Sequence, residues 1–456
     1  MIAIVQAACT PANDKEWLEY TQEDISSKVL SYLETYKNKF CLYGANPFLQ
    51  MPTLKSFIKA KTLLPKKKSG FLPTGTTENT TLYLDSQKTR PCSDADNAVF
   101  LICLSGFGRG GKQPTNKVVL SENFTKKTSS AAGPFLDKRG LLHNFLIGKT
   151  ILETIWLNIV CLDEAKKLYP AGVGTPPWEE IPLSETCETA ERLKTSLMGR
   201  LVPLSRFCLL SENTEQAYKN LVYCTEGVLH ASYSKGIDDS TILDPNMLSV
   251  ANIKFKKVRA VYSDPSQKPW LTLTSNANSL PIKHISRSAY PSVILWFGGL
   301  KISSTAGEQT VSGSDDFVES EIVINKDFNI INDNLESLKL LIKNLTNTLD
   351  NFFKDVGIVQ KQKLKIKIGN NTTGLAINDF CQLVEKYFKK LIIVNTEDDD
   401  AIIKIKKEIG KSAESIYNIY CFKKKSRSID FYTKRLITLK KYIKDYIYGA
   451  KIDGAK

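Results

Sequence analysis

The sequence predicts an α+β protein, with a large mixed α/β N-terminal domain of irregular topology over residues 1–330 and a C-terminal four-helix bundle over 335–456. Three observations support this prediction. Apolar residues at helical spacing open the chain, and short apolar runs separated by Gly, Pro and Asn fill its middle. Beyond about Asn334 only long amphipathic runs remain, which is typical of a helical bundle.

The larger domain is expected to alternate helices and short strands. Helices are expected in the first fifty residues, where Trp17, Ile25, Val29 and Leu33 recur at helical spacing. The next expected elements are, in order, strands over 80–84 and 100–105, helices over 141–162 and 184–198, and strands over 207–210 and 293–297. Gly298 and Gly299 follow the last strand, and the polar stretch 301–316 predicts a projecting hairpin that turns near Gly307.

The C-terminal domain is expected to contain four amphipathic helices. Their predicted ranges are 335–353, 377–394, 401–421 and 427–448. This part of the chain holds 25 Lys and Arg against 14 Asp and Glu, and so contributes +11 of the net charge of +14. Such a one-signed surplus favours a polyanionic partner such as nucleic acid.

Composition also excludes several kinds of protein. No stretch reaches the ~18 to 20 uninterrupted apolar residues that cross a bilayer, so no membrane segment is expected. Ten cysteines occur without a C-x-x-C pair, and His143, His230 and His284 are the only histidines. This pattern favours reduced thiols in the cytoplasm and argues against a zinc site; no metal and no cofactor are expected. No catalytic signature is present, and a protein without enzyme activity is expected.

A glycine-rich segment follows the apolar run 100–105. Gly106, Gly108 and Gly111 match the dinucleotide fingerprint G-x-G-x-x-G, which requires a strand before the glycines and a helix after them. The polar residues after Lys112 do not predict such a helix, and Gln113 after Lys112 excludes a Walker A loop. Two interpretations of the segment 106–111 stay open at this point. It is part of a nucleotide-binding enzyme, or it is a simple glycine turn.

Several short segments are informative because of their order along the chain. They are Ile4–Cys9 with Glu16 and Trp17, Tyr36–Gly44 with Pro47–Gln50, Gly106–Gly111, Gly133–Phe135, Gly148–Asn158, Pro176–Glu179, Arg200–Arg206, Asp244 with Pro245, and Lys268–Trp270. In this order they resemble the CasA family, the large subunit of the type I-E CRISPR surveillance complex Cascade. The resemblance spans roughly residues 1 to 325. The family carries a strand-bearing segment before the helix that begins here at Met1, so a short variant or a late start is expected.

The resemblance implies a protein that recognises a protospacer-adjacent motif in double-stranded DNA from the minor groove and helps to open the duplex. The implied DNA-binding residues are Gly106, Gly108, Arg109, Gly110, Gly111, Lys112, Lys268, Glu308, Gln309, Thr310, Lys423, Lys424, Lys434 and Arg435. Gln309 at the hairpin tip is the residue implied to insert at the first base pair of the target. Ser304 would take this role if the tip lay earlier in the sequence. Asn79, Thr80, Thr81 and Leu82 are implied contacts to the 5′ handle of the crRNA and to the motif.

The resemblance also implies partners. They are the other Cascade subunits, the crRNA and a helicase-nuclease that docks after target binding and carries the catalysis. A generic RNA-binding scaffold remains the alternative from another class of proteins.

Overall fold

The structure is a computed structural model. It describes residues 1–68, 92–108, 118–122, 124, 133–136, 140–211, 219–231, 244–251, 257–261, 279–287, 293–302, 310–319, 328–357, 363–393, 398–425 and 429–449. The described residues up to Val318 form one compact unit, called the N-terminal unit here, and those from Glu319 onwards belong to a second, called the helical unit. The domain limits 1–330 and 335–456 stay a prediction.

The described elements confirm the α+β class. The helices are α1 Ile2–Ala8, α2 Asp14–Glu19, α3 Gln22–Tyr36, α4 Leu54–Lys59, α5 Asp94–Phe107, α6 Ile151–Leu157, α7 Leu162–Leu168, α8 Glu188–Lys194, α9 Leu197–Leu201, α10 Leu280–His284, α11 Phe328–Asp355, α12 Lys363–Ile393, α13 Asp399–Lys425 and α14 Ile429–Tyr448. The strands are β1 Lys66–Lys67, β2 Leu142–Ile147, β3 Arg206–Leu210, β4 Leu221–Glu226, β5 Ser249–Ala251, β6 Lys257–Arg259, β7 Ile294–Ile302 and β8 Thr310–Glu319. They form small sheets in the orders β1-β4-β3, β2-β7-β8 and β5-β6.

The prediction of a strand over 100–105 is wrong, because these residues lie within helix α5. A capping box starts the helix: Asp96 N donates to Ser93 Oγ at 3.1 Å, and the Asp96 carboxylate accepts from Ser93 N at 2.8 Å. Phe100, Leu101 and Leu104 pack against strands β3 and β4. A short apolar run fits a buried strand and a buried helix equally well, and the cap and the packing decide between them.

The prediction of one long helix over 141–162 is also wrong. Its first part is strand β2, in which Leu142, Asn144 and Leu146 are buried in strict alternation and which pairs antiparallel with β7. Helix α6 begins only after Thr150, whose hydroxyl accepts from Glu153 N at 3.1 Å. The partner strand β7 is distant in sequence, so local spacing does not reveal this pairing.

The helix predicted over 184–198 is two shorter helices, α8 and α9. The helix is interrupted between them because Ser196 caps α9: its hydroxyl accepts a hydrogen bond from Gly199 N at 3.1 Å. A Cβ on Gly199 would overlap the backbone carbonyl of Leu193, so glycine is required where the two helices meet.

Other predicted elements are confirmed. The opening residues form α1 to α3, the strand over 207–210 is part of β3, and the strand over 293–297 lies in β7 apart from Val293. Strands β7 and β8 are neighbours in one sheet, as a hairpin requires. The strand predicted over 80–84 and the turn predicted near Gly307 lie outside the described residues.

The predicted four-helix bundle is confirmed. Helices α11 to α14 pack in a closed ring, each against its neighbours in sequence, and α14 also against α11. Their buried faces form a core to which every helix contributes. It includes Leu338, Leu345 and Phe352 of α11, Phe380 and Phe388 of α12, Tyr417 of α13 and Leu439 of α14. Helices α11 and α13 extend their predicted ranges at both ends, and α12 begins much earlier than predicted, at Lys363. Helix α14 begins two residues later than predicted, at Ile429.

Candidate nucleic-acid interface

The end of helix α5 is bound to a distant segment of the chain. Gly133 N donates to Gly108 O at 2.6 Å, and Phe135 N donates to Gly106 O at 3.0 Å. We call these two hydrogen-bonded segments, Gly106–Gly108 and Gly133–Phe135, the glycine anchor. Gly108 and Gly133, the residues on either side of the segment 109–132, are therefore joined by a hydrogen bond.

The anchor explains why glycine is needed at two of its positions. Gly106 and Gly108 are buried rather than exposed. A Cβ on Gly106 would overlap the ring of Phe135, and a Cβ on Gly133 would lie 2.7 Å from Gly108 N and closer still to Gly106 O. The anchor thus depends on close backbone approach, and α5 stands where the dinucleotide fingerprint needs a strand.

Three charged or polar side chains lie beneath the anchor, and we call Arg200, Asp244 and His143 the Arg200 cluster. Arg200 Nη2 lies 2.8 Å from Asp244 Oδ2 and donates to Pro134 O at 3.0 Å. His143 Nε2 lies 3.0 Å from Phe135 O. Both carbonyls after Gly133 are therefore bound by side chains, Pro134 O by the distant Arg200 and Phe135 O by the nearby His143.

Arg200 and Asp244 of the Arg200 cluster are deeply buried, and His143 is half-buried. The side chains of Arg200 and Asp244 are 2% and 4% exposed. Burial alone would raise the pKa of Asp244, but the neighbouring Arg200 guanidinium and the hydrogen bond from Asn246 N hold it below its usual range. Burial lowers the pKa of His143, which favours the neutral imidazole. The cluster is thus one buried ion pair with a neutral histidine beside it.

The part of the chain between the two ends of the anchor has a further attachment. The buried Glu185 carboxylate accepts hydrogen bonds from Leu120 N, at 2.9 Å, and from Ser121 N, at 2.8 Å. Two backbone donors on one carboxylate make charge-assisted bonds, which are stronger than neutral ones. Residues 118–122 are thereby fixed on the N-terminal unit.

A mainly apolar cavity of about 770 Å³ lies beside the anchor. Its walls include Phe107, Phe135, His143 and Trp296, together with Gly298 from β7. The cavity thus borders both the end of α5 and the strand that leads into the predicted hairpin.

The other histidines serve hydrogen bonding to the backbone. His230 Nε2 lies 3.0 Å from Ser196 O, and His284 Nδ1 lies 3.0 Å from Leu157 O. Burial lowers the pKa of both side chains, to about 4 for His230. These buried rings complete backbone hydrogen bonding inside the N-terminal unit.

Asp14, Cys161 and Glu164 bring three potential metal-ligand atoms together. Arg287 Nη2 lies 2.5 Å from Asp14 Oδ1 and 2.8 Å from Glu164 Oε2. Burial raises the pKa of the Cys161 thiol to about 12, so the thiol stays protonated. The arginine supplies the positive charge that the carboxylates require, and an ion-pair cluster explains the group.

This cluster predicts an acid-sensitive contribution to stability. Burial alone would raise the pKa of Glu164, but its hydrogen bonds to His284 and Arg287 and their charges lower it from 4.5 to about 2. A lowered folded-state pKa means that the stabilisation is present above pH 4.5 and is lost as the pH falls towards 2. When the pH is lowered from 6 to 3, we expect the free energy of unfolding of the wild-type protein to fall by about 1–2 kcal/mol more than that of Glu164→Gln.

Urea unfolding followed by tryptophan fluorescence at the two pH values measures this difference. Trp17 stacks on Trp156 at 5.6 Å and Arg287 lies over the Trp17 ring, so the signal reports on the same region. An equal loss of stability in the wild type and the variant would contradict the assignment.

The outer face of α14 carries exposed lysines. We call Lys434, Lys441 and Lys444 the α14 basic face, since all three are exposed on one side of the helix. No ion pair joins any of them to an acidic group within the described residues. Arg435 differs, because it is half-buried and its Nη2 lies 2.7 Å from Asp355 Oδ2 on α11.

The structure describes only part of the predicted site. The predicted site residues that lie outside the described residues are Asn79, Thr80, Thr81, Leu82, Arg109, Gly110, Gly111, Lys112, Lys268, Glu308 and Gln309. Thr310 begins β8, and Lys423 and Lys424 lie in α13 with side chains outside the description. Among the predicted DNA-binding residues other than glycine, the structure describes two side chains. Lys434 is exposed, and Arg435 is paired with Asp355.

Lys441, Lys444 and the members of the Arg200 cluster were not among the site residues predicted from the sequence. Lys441 and Lys444 lie seven and ten residues after Lys434, a spacing that places all three on one helical face. Arg200 and Asp244 stand in two of the segments on which the resemblance rests. Their pairing has no signal in local spacing.

Within the described ranges, no helix combines the length and the apolar character needed to cross a bilayer.

Comparison with known proteins identifies the family. The family model of CRISPR-associated protein Cse1 matches residues 1–392. Thermobifida fusca Cse1 is 15% identical with a TM-score of 0.65, over 99% of this chain and 89% of that chain. CasA of Thermus thermophilus is 15% identical with a TM-score of 0.63, over 98% and 88% of the two chains.

A chain of a CRISPR RNA-guided surveillance complex is 12% identical with a TM-score of 0.65, over 98% of this chain and 88% of that chain. At such identities these structures show the fold alone, and no functionally curated protein matches the sequence. The family model covers well over half of the chain, which confirms the resemblance. The chain belongs to the family of CRISPR-associated protein Cse1.

Proposed function

We propose that this chain is the large subunit of a type I-E Cascade complex and acts without catalysis of its own in the cytoplasm. It binds the crRNA 5′ handle and other Cascade subunits, recognises the protospacer-adjacent motif in duplex DNA, and offers the docking surface for a helicase-nuclease. Membership of the Cse1 family supports the assembly role, since one chain of similar fold belongs to a CRISPR RNA-guided surveillance complex.

The glycine anchor is the observation that carries the DNA-binding part of the proposal. The two hydrogen bonds of the anchor fix Gly108, the residue directly before Arg109, at the end of helix α5. Arg109, Gly110, Gly111 and Lys112 directly follow the anchor in sequence. Glycine there lets a backbone approach the floor of the minor groove, and the two cations are suited to the flanking phosphates.

A Gly110→Asp substitution tests this assignment. The carboxylate would face phosphates and base-edge acceptors, so we expect motif-specific affinity to fall by at least about tenfold. The assembled complex is incubated with duplexes randomised next to the target sequence, and bound DNA is sequenced. We expect the wild type to enrich one motif and the variant to lose that enrichment.

Ser27→Asp is the matched control, because Ser27 is exposed on α3 and the variant adds the same charge to the same unit. It should enrich the same motif as the wild type. Unchanged motif enrichment in Gly110→Asp would contradict the loop assignment.

The α14 basic face is proposed to hold DNA without regard to sequence, because lysines that neutralise phosphates release counterions. Replacing Lys434, Lys441 and Lys444 by alanine should weaken binding to all duplexes alike. It should also make the slope of log K against log salt shallower by up to about 3, close to one unit per lost phosphate contact. Affinities measured over a range of salt concentrations provide the slope.

A variant with alanine at Lys15, Lys166 and Lys167 is the control. These lysines are exposed in the N-terminal unit, so the net charge changes equally. An equal change of slope in both variants would show that net charge alone, rather than the α14 basic face, sets the salt dependence.

A further inference from the structure

The Arg200 cluster brings together three segments that are far apart in sequence. Arg200 lies in α9 and donates to Pro134 O of the glycine anchor, and Asp244, which precedes β5, pairs with Arg200. The Arg200 guanidinium also lies 4.8 Å from the centre of the Phe135 ring. One arginine thus binds the anchor through a carbonyl and through an aromatic face.

Burying this ion pair brings little stability by itself. Removing two charges from water is costly, and buried pairs are often replaced by apolar residues without loss of stability. Within the described residues Arg200 Nη1 has no hydrogen-bond partner, which adds to the free-energy cost of burying the pair.

The ion pair instead fixes the orientation of the Arg200 guanidinium. Asp244 Oδ2 lies 3.0 Å from Arg200 Nε and 2.8 Å from Nη2, while its Oδ1 accepts from Asn246 N at 2.7 Å. The fork of the guanidinium is therefore oriented, and its Nη2 points at Pro134 O. A planar donor held at two atoms positions its partner more precisely than a flexible lysine does.

We propose that Arg200, Asp244 and His143 are positioning residues for motif recognition. They hold Gly133–Phe135 in place, and through the Gly133–Gly108 hydrogen bond they hold the start of the segment that contacts DNA. This inference rests on the proposed function of that segment. The three side chains act through the anchor, and none of them contacts DNA.

The test uses the complete complex with the double substitution Arg200→Met/Asp244→Asn. Methionine is uncharged and fills the inner part of the space of the buried arginine side chain, and asparagine keeps the acceptor for Asn246 N. Because no charge is left unpaired, the subunit should still fold. The matched control is Arg287→Met/Glu164→Gln, which removes a buried ion pair of the same unit away from the anchor.

Two measurements are made on each complex. Hydrogen exchange of the Gly133 and Phe135 amides reports on the anchor directly, and we expect it to become at least about tenfold faster in Arg200→Met/Asp244→Asn. Affinity for duplexes with and without the motif reports on function. Motif-specific affinity should fall about tenfold while motif-independent affinity stays within about twofold. The control should change neither.

Unchanged exchange at Gly133 and Phe135 would overturn the proposal. Faster exchange with unchanged motif preference would overturn it too, because the anchor would then not position the DNA-contacting segment. If the wild-type complex shows no motif preference, the proposed function fails, and the exchange measurement alone decides whether the cluster holds the anchor.

A milder variant serves if the double substitution prevents folding. His143→Phe removes the contact to Phe135 O and the 3.9 Å approach of Nδ1 to Asp244 Oδ2, while it leaves the Arg200–Asp244 ion pair in place. The larger ring has room because His143 lines the neighbouring cavity of about 770 Å³. We expect faster exchange and a lower motif preference, both by severalfold. No change in exchange would count against the proposal.

Discussion

A Gly133→Ala substitution is expected to lower the free energy of unfolding of the N-terminal unit by about 3 kcal/mol. The added Cβ would lie 2.7 Å from Gly108 N and overlap the carbonyl of Gly106. Backbone atoms cannot rotate away as a side chain does, so either the close approach or both hydrogen bonds of the anchor must be given up. Urea unfolding curves of the isolated chain measure the difference.

Gly374→Ala is the matched control for this substitution. Gly374 lies in α12, and a Cβ there would meet nothing within 4 Å. Alanine favours a helix over glycine by about 0.5–1 kcal/mol, so the control should be neutral or slightly stabilising. A Gly133→Ala protein as stable as the wild type would contradict the packing of the anchor.

An Arg200→Met substitution alone is expected to destabilise the N-terminal unit by about 3–5 kcal/mol. It leaves Asp244 as an uncompensated charge whose side chain is only 4% exposed. The double variant Arg200→Met/Asp244→Asn removes that charge and should recover at least about 2 kcal/mol of the loss. A double-mutant cycle of unfolding free energies measures the coupling. A double variant less stable than Arg200→Met would contradict a buried ion pair.

The bundle was largely predictable because its signal is local and repeated. The apolar residues of α11, from Leu335 to Phe353, recur at helical spacing over five turns, and the observed helix extends that range at both ends. Packing between neighbouring helices then follows from the continuous apolar faces.

The N-terminal unit was less predictable because its short apolar runs fit more than one element. The run from Phe100 to Ser105 reads as a strand, although Ser93 and Asp96 form a capping box that indicates a helix. Residues Leu142 to Ile147 read as a helix, and they become a strand because β7 pairs with them. A long-range partner overrides weak local preference.

The candidate site divides in the same way. Local sequence was enough to mark the glycine segment after α5 and the surplus of lysines at the C-terminal end. It was not enough to tell which glycines serve packing, and Gly106 and Gly108 prove to be buried parts of the anchor. The same holds for Lys434 and Arg435, which are neighbours in sequence but differ in exposure and partners.

By itself, the sequence determined the fold class, the helical bundle, its positive charge and the family to which the chain belongs. Each of these depends on composition, on residues close in sequence or on the order of short motifs. The tertiary structure alone decided that Gly133 closes on Gly108 and that Arg200 and Asp244 meet beneath Phe135. These contacts join residues 25 to 66 positions apart, and only the folded chain brings their atoms within hydrogen-bonding distance.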